Sequence, residues 1–97
     1  MIGVRYHAAA EGEIQEAVDF YDAHRDRLGS GFPKEVRSTV RRLREYPRLG
    51  SAVEGEVRRF VLRRFPYSIY YEVRSRELYV LSVAHHSRES SFWKGRL

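Results

Sequence analysis

Three short apolar runs crowd the second half of the chain: VRRFVL (57–62), YSIYYEV (67–73) and ELYVLSVAHH (77–86). β-Branched and aromatic residues dominate them, which is strand composition. Only Arg63–Pro66 and Arg74–Arg76 separate one run from the next. A parallel neighbour needs a crossover of a dozen or more residues, so connections this short join antiparallel hairpins. The segment is therefore a ribbon of consecutive strands, and the residues before it must cover one of its faces.

Those residues read as a strand and two helices. IGVRYH alternates Ile2, Val4 and Tyr6, a short strand. AAAEGEIQEAVDFYDAHRDRLG follows with Ile14, Ala17, Val18, Tyr21 and Leu28 at helical spacing. Its acidic residues come early and Arg25 and Arg27 late, as the helix dipole favours. Gly29 and Gly31 end it and allow a tight reversal. A second helix runs from about Phe32 to Tyr46, with Pro33 in its first turn and Pro47 as its stop. Val36, Val40 and Leu43 form its apolar stripe. Lys34, Arg37, Arg41, Arg44 and Arg48 form a basic stripe, offset by Glu35 and Glu45. PRLGSAVEGE reads as a loop, and the tail from Ser87 as about one helical turn.

The order is β-α-α-β-β-β. It predicts an α+β fold in two layers, a helical hairpin on one face of a small antiparallel sheet whose reverse face stays partly open. Residues 1–97 read as a single domain, without repeat, low-complexity tract or linker. Seven Tyr and five Phe are enough for a modest core. There is no run of about 18 apolar residues, so no membrane span is expected. The N-terminus lacks the pattern of a signal peptide, and a cytoplasmic location is the expectation. The absence of Cys excludes disulfides and thiolate metal sites.

Charge narrows the partners. The net charge is +5, and of the 18 basic residues 16 are Arg and two Lys. Arg forks onto phosphate or carboxylate and stacks on rings. An acidic partner follows, either nucleic acid or an acidic protein segment.

Alternation assigns the strand faces. Phe60 and Leu62 oppose Arg59 and Val61. Ile69, Tyr71 and Val73 oppose Ser68, Tyr70 and Glu72. Tyr79, Leu81 and Val83 oppose Val80, Ser82 and Ala84. With the more apolar set against the helices, His85 falls on the core side and His86 on the open side. The open face then gathers Arg59, Tyr70, Glu72 and His86. Cleaving RNA through its own 2′-hydroxyl needs a proton acceptor, a proton donor and a cation on the phosphate, and no metal. Histidine and arginine supply these. The same residues also fit a plain structural role, with Tyr70 and Arg59 stacked across the sheet and His86 capping a strand end. Adjacent histidines on a strand diverge, and His7 and His24 have no evident partner, so neither metal nor cofactor is expected. Ser87 and Ser90 lack a nucleophile elbow, and GSG at 29–31 lacks the Lys of a phosphate loop. Trp93 is expected to pack the tail rather than to stack on bases.

Over almost its whole length the chain resembles the ParE/RelE superfamily of toxins from type II toxin–antitoxin systems, in particular the ParE-like plasmid stabilisation branch. AEGEIQEAVDFYDAHRDRLGSGFPKEV is similar to that family's helical hairpin. VRRFVLRRFPYSIYYEV is similar to its arginine-rich strand and following Y-x-I-x-Y, and LYVLSVAHHSRESSFWKGR to its last strand and tryptophan tail. The resemblance implies a cognate antitoxin and a toxin–antitoxin hetero-oligomer. It implies one of two activities: inhibition of DNA gyrase in ParE-like members, or ribosome-dependent cleavage of mRNA in RelE-like ones. A degenerate, non-toxic antitoxin binder is a third reading. In the RelE-like reading Arg59, His86 and Tyr70 are catalytic, with His85 an alternative. Ser87 stands where such nucleases often carry a tyrosine, and Tyr67-Ser68 where they often carry Tyr-Arg. Both departures and the tail with Trp93 favour the gyrase reading, in which no enzyme activity is expected. Arg37, Arg41, Arg44, Arg63, Arg64, His85, Arg88 and Trp93 are the expected contacts to target or antitoxin.

Overall fold

In the computed structural model, which describes residues 1–23, 31–88 and 92–97, residues 57–86 form the expected neighbouring antiparallel strands. β3 (Val57–Val61) pairs with β4 (Tyr67–Arg74), Arg59 opposite Tyr70, and β4 pairs with β5 (Glu77–His85). The β4–β5 turn is held by Ser75 and Arg76 at φ 48° and 65°. Two left-handed residues give the turn a twist that matches its strands, although neither is the usual Gly or Asn.

β1 (Gly3–Tyr6) and α1 (Ala8–Ala23) precede α2 (Phe32–Glu45). β1 lies parallel to β5, Val4 beside Leu78, so the sheet is mostly rather than wholly antiparallel. The His7 ring caps α1, its Nδ1 accepting the Ala9 amide at 3.0 Å. Pro33 sits in the first turn of α2 as expected. The expected reversal, with His24, Arg25, Arg27, Leu28 and Gly29, lies outside the described residues.

One strand stands where a loop was expected. β2 (Ser51–Glu54) pairs antiparallel with β3 and completes the order β1-β5-β4-β3-β2. All four of its residues are exposed, so it offers no apolar alternation to read. The approach to it is fixed from β4: the Tyr71 hydroxyl donates to the Pro47 carbonyl at 2.7 Å and accepts the Gly50 amide at 2.9 Å. A side chain at Gly50 would come within 2.6 Å of that oxygen, so only glycine fits. Burial pushes the Tyr71 phenol up, and it stays a donor.

The main core lies between helices and sheet, with Ala10, Ala17, Phe32, Val36, Leu43 and Ile69 among its residues. Phe32 meets Phe65 and Tyr67 edge-on at 5.0 and 4.9 Å, geometry worth about 0.5–1.5 kcal/mol per pair beyond area burial. A second cluster, Val57, Tyr70, Leu81, Ala84 and Trp93, lies on the reverse face. Two expectations change here. Tyr70 faces Ser82 while Tyr71 faces Val80, so Leu81 is an extra residue, a β-bulge. The bulge turns Tyr79 and Leu81 to the reverse side and leaves Leu78 and Val80 toward the helices. The reverse face is also less open than alternation implied. A 3-10 turn, Phe92–Arg96, crosses it and stacks Trp93 on Tyr70 at 6.1 Å.

Candidate functional site

Two carboxylates organise the surface, one on each helix. Glu13 of α1 is buried. Its Oε1 accepts the Ser82 hydroxyl at 2.9 Å, the Val83 amide at 3.0 Å and Arg96 Nη1 at 2.9 Å. Its Oε2 accepts Arg88 Nη1 at 2.7 Å and Arg96 Nη2 at 2.9 Å. Arg96 also donates to the Leu81 carbonyl at 2.9 Å. The bulge exposes that carbonyl to the tail, and one carboxylate thereby pins the C-terminus to α1 and β5. The Phe92 ring lies under both cations, with Arg88 at 4.0 Å and Arg96 at 5.0 Å from its centroid. Lys94 reaches Glu54 on β2 at 2.9 Å.

Glu35 of α2 accepts the Arg63 and Arg64 amides at 2.7 and 3.2 Å and Arg64 Nε at 2.9 Å. Burial alone would raise its pKa. The bonds from the Arg64 side chain and from the Arg64 and Arg63 amides outweigh that and hold it below the ordinary value of about 4.5.

At the outer corner of the reverse face three residues form a polar relay. Arg59 Nε donates to Ser68 Oγ at 3.1 Å, and Ser68 Oγ lies 3.0 Å from His86 Nε2. Ser68 Oγ thereby bridges the Arg59 guanidinium and the His86 ring. Ser68 is buried and His86 exposed. Tyr70 does not join them. It is 6% exposed beneath Phe92 and Trp93. Trp93 is itself 1% exposed, and its Nε1 lacks a hydrogen-bond partner among the described residues.

His85 points the other way. It meets Tyr67 edge-on at 5.1 Å, and its Nδ1 accepts the Ser87 amide at 3.0 Å. It lines a groove of about 590 Å³ between α1 and the end of β5. Ala17, Phe20, Tyr67 and Val83 give that groove an apolar floor, and Glu16 and Arg88 charge its rims. Phe20 is 54% exposed beside it.

Of the expected cationic contacts, Arg37 and Arg41 are exposed on α2. Arg44 is engaged internally, its Nε donating to the Ile2 carbonyl at 2.7 Å. Arg64 is committed to Glu35, and Arg88 to Glu13 and Phe92. Among the described residues no group of three or more His, Cys, Asp or Glu could hold a metal ion.

The family model for the ParE toxin of type II toxin-antitoxin system, parDE, matches residues 4–90. The chain belongs to the ParE toxin family. A chain of the solved structure described as the chromosomal ParDE TA system from P. aeruginosa shares the fold at a TM-score of 0.75 and 18% identity, over 88% of this chain and 96% of that one. No curated protein matches by sequence.

As a ParE-family chain it has an antitoxin as the implied partner, which makes the apolar groove on α1 the feature to explain. Three residues that matter to the surface escaped sequence reading. Ser68 was placed on the reverse face but not between Arg59 and His86. Glu13 was read as a dipole complement, although its place in the run Ala10, Glu13, Ala17, Tyr21 is that of the core stripe. Phe20, adjacent to Tyr21, sits off that stripe, and an exposed aromatic in a helix was the signal to follow.

Proposed function

We propose that this ParE-family chain is the toxin of a type II toxin–antitoxin pair, that it inhibits DNA gyrase in the cytoplasm, and that a cognate antitoxin neutralises it by filling the α1–β5 groove. The observation that carries the choice of target is the tail. Phe92 and Trp93 cover Tyr70 across the middle of the reverse face. An RNA strand laid there would have to displace a buried tryptophan and Arg96, which is bonded twice to Glu13. Acting on a protein target needs no such opening. The groove supports the antitoxin's place: it offers aromatic and aliphatic floor to apolar anchors, with Glu16 and Arg88 as opposite charges at its rims. Among the described residues no helix is long and apolar enough to cross a membrane.

The test is a supercoiling assay with purified gyrase and relaxed plasmid. The expected result is loss of supercoiling or trapped cleaved DNA, reversed by the antitoxin. A folded preparation that arrests growth yet leaves gyrase untouched would overturn the reading.

A second reading has one observation in its favour, the Arg59–Ser68–His86 relay. It joins an imidazole, suited to proton transfer, to a cation suited to the phosphate, the pair that 2′-hydroxyl attack requires. In that reading His86→Ala abolishes growth arrest and message cleavage while antitoxin binding persists. Growth arrest that survives the substitution removes RNA cutting.

A further inference from the structure

The outer face of α2 has a chemistry the groove does not share. Lys34, Arg37, Ser38, Arg41, Arg42 and Glu45 are its exposed residues, and no apolar side chain is exposed among them. Arg48 continues the row just beyond the helix, where Tyr46 and Leu49 are exposed as well. Lys34, Arg37, Arg41, Arg42 and Arg48 make no ion pair among the described residues, and the second carboxylate of the helix, Glu35, is buried under Arg64. The cations spread over both flanks. On one side Arg37 and Arg41 border a groove of about 450 Å³ that Met1, Val4, Tyr6 and Val40 also line, and on the other Lys34, Arg42 and Arg63 line one of about 420 Å³.

We propose that this face binds the phosphodiester backbone of nucleic acid, without reading sequence, at a site separate from the α1–β5 groove. Protein interfaces are centred on aromatic and aliphatic anchors, with Arg among them but with Lys, Asp and Glu depleted. The outer row of α2 itself has no such centre, its exposed apolar neighbours Met1, Tyr46 and Leu49 lying outside the helix. A polyphosphate chain requires only cations and donors along a line, and successive cations at spacings of three and four residues rise about 4.5–6 Å along the helix. Arg in particular clamps phosphate with two bonds. The neighbouring helix fixes the orientation: α1 exposes Glu11, Glu16, Asp19 and Asp22, which repel a polyanion. The proposal stands whether or not gyrase is the target.

Fluorescence anisotropy of the purified chain with a labelled 20-bp DNA duplex of arbitrary sequence, and separately with a labelled RNA hairpin, tests it. Four phosphate contacts give a slope of log K against log salt near −3.6, so binding should weaken about a hundredfold between 50 and 200 mM salt. Arg37→Gln with Arg41→Gln should make that slope shallower by about 1.8. Arg5→Gln with Arg76→Gln removes the same charge from elsewhere and should leave the slope nearly unchanged. Circular dichroism confirms that both double variants are folded. Binding to either probe with this pattern supports the proposal, and the two probes tell which nucleic acid carries the backbone. It is overturned by no binding at 50 mM salt, by equal losses in the two double variants, or by polyglutamate displacing the probe as well as unlabelled duplex does at equal charge.

Discussion

The two helices of the hairpin bury one glutamate each and otherwise share little. Glu13 on α1 takes five hydrogen bonds, from Ser82, Val83, Arg88 and Arg96, all across a sequence separation of 69 residues or more. Glu35 on α2 takes three, all from Arg63 and Arg64 in the β3–β4 turn. One carboxylate closes the fold from end to end, and the other trims a local turn. The outward faces diverge as well. α1 is acidic and carries Phe20 beside an apolar groove, while α2 is cationic without an exposed apolar residue. Two amphipathic helices with similar buried stripes can thus serve different partners, because the stripe sets the fold and the outer face sets the chemistry.

The largest effect should come from Glu13→Ala. It leaves Arg96, 13% exposed, without its counter-charge, and strands Ser82 and the Val83 amide. Removing one partner of such a buried pair costs about 3–5 kcal/mol. Urea unfolding measures it, and a loss below about 1 kcal/mol would break the contrast between the helices. Glu35→Ala strands two amides at a more open turn and should cost about 1–3 kcal/mol in the same experiment. Phe20→Ala gives up an edge-on contact with Tyr21 and should cost about 1 kcal/mol of stability, and it should weaken antitoxin binding about tenfold or more, read by calorimetric titration. The smallest effect is in acid. The folded-state pKa of Glu35 lies below its unfolded value, so its contribution is complete above about pH 4.5 and is lost as pH falls through the folded pKa. Acid unfolding curves should therefore fall less steeply in the Glu35→Ala chain than in the parent.

The strands of the hairpin ribbon and both helices were legible, because each has a strong period and a marked end: Ile69 and Tyr71 alternate with Ser68 and Tyr70, and Pro33 and Pro47 bracket α2. What escaped depends on partners distant in sequence. β2 exists by pairing with β3 and shows no pattern of its own. Leu81 bulges where β5 must satisfy both Glu13 and the tail, and one inserted residue reverses the faces before it. The cover over Tyr70 required knowing that Arg96 finds Glu13 across 83 residues. For the candidate site, Arg59 and His86 were placed together on the reverse face, but their link through Ser68 and the burial of Tyr70 and Trp93 are tertiary facts.

Hydrogen–deuterium exchange of the toxin, free and saturated with its cognate antitoxin, tests the division of labour between the helices most directly. The expected result is slowed exchange along Glu13–Tyr21 and at Val83–Arg88, the walls of the groove, with the α2 amides Lys34–Glu45 unchanged. Slowing along α2 with α1 and the end of β5 unaffected would contradict it.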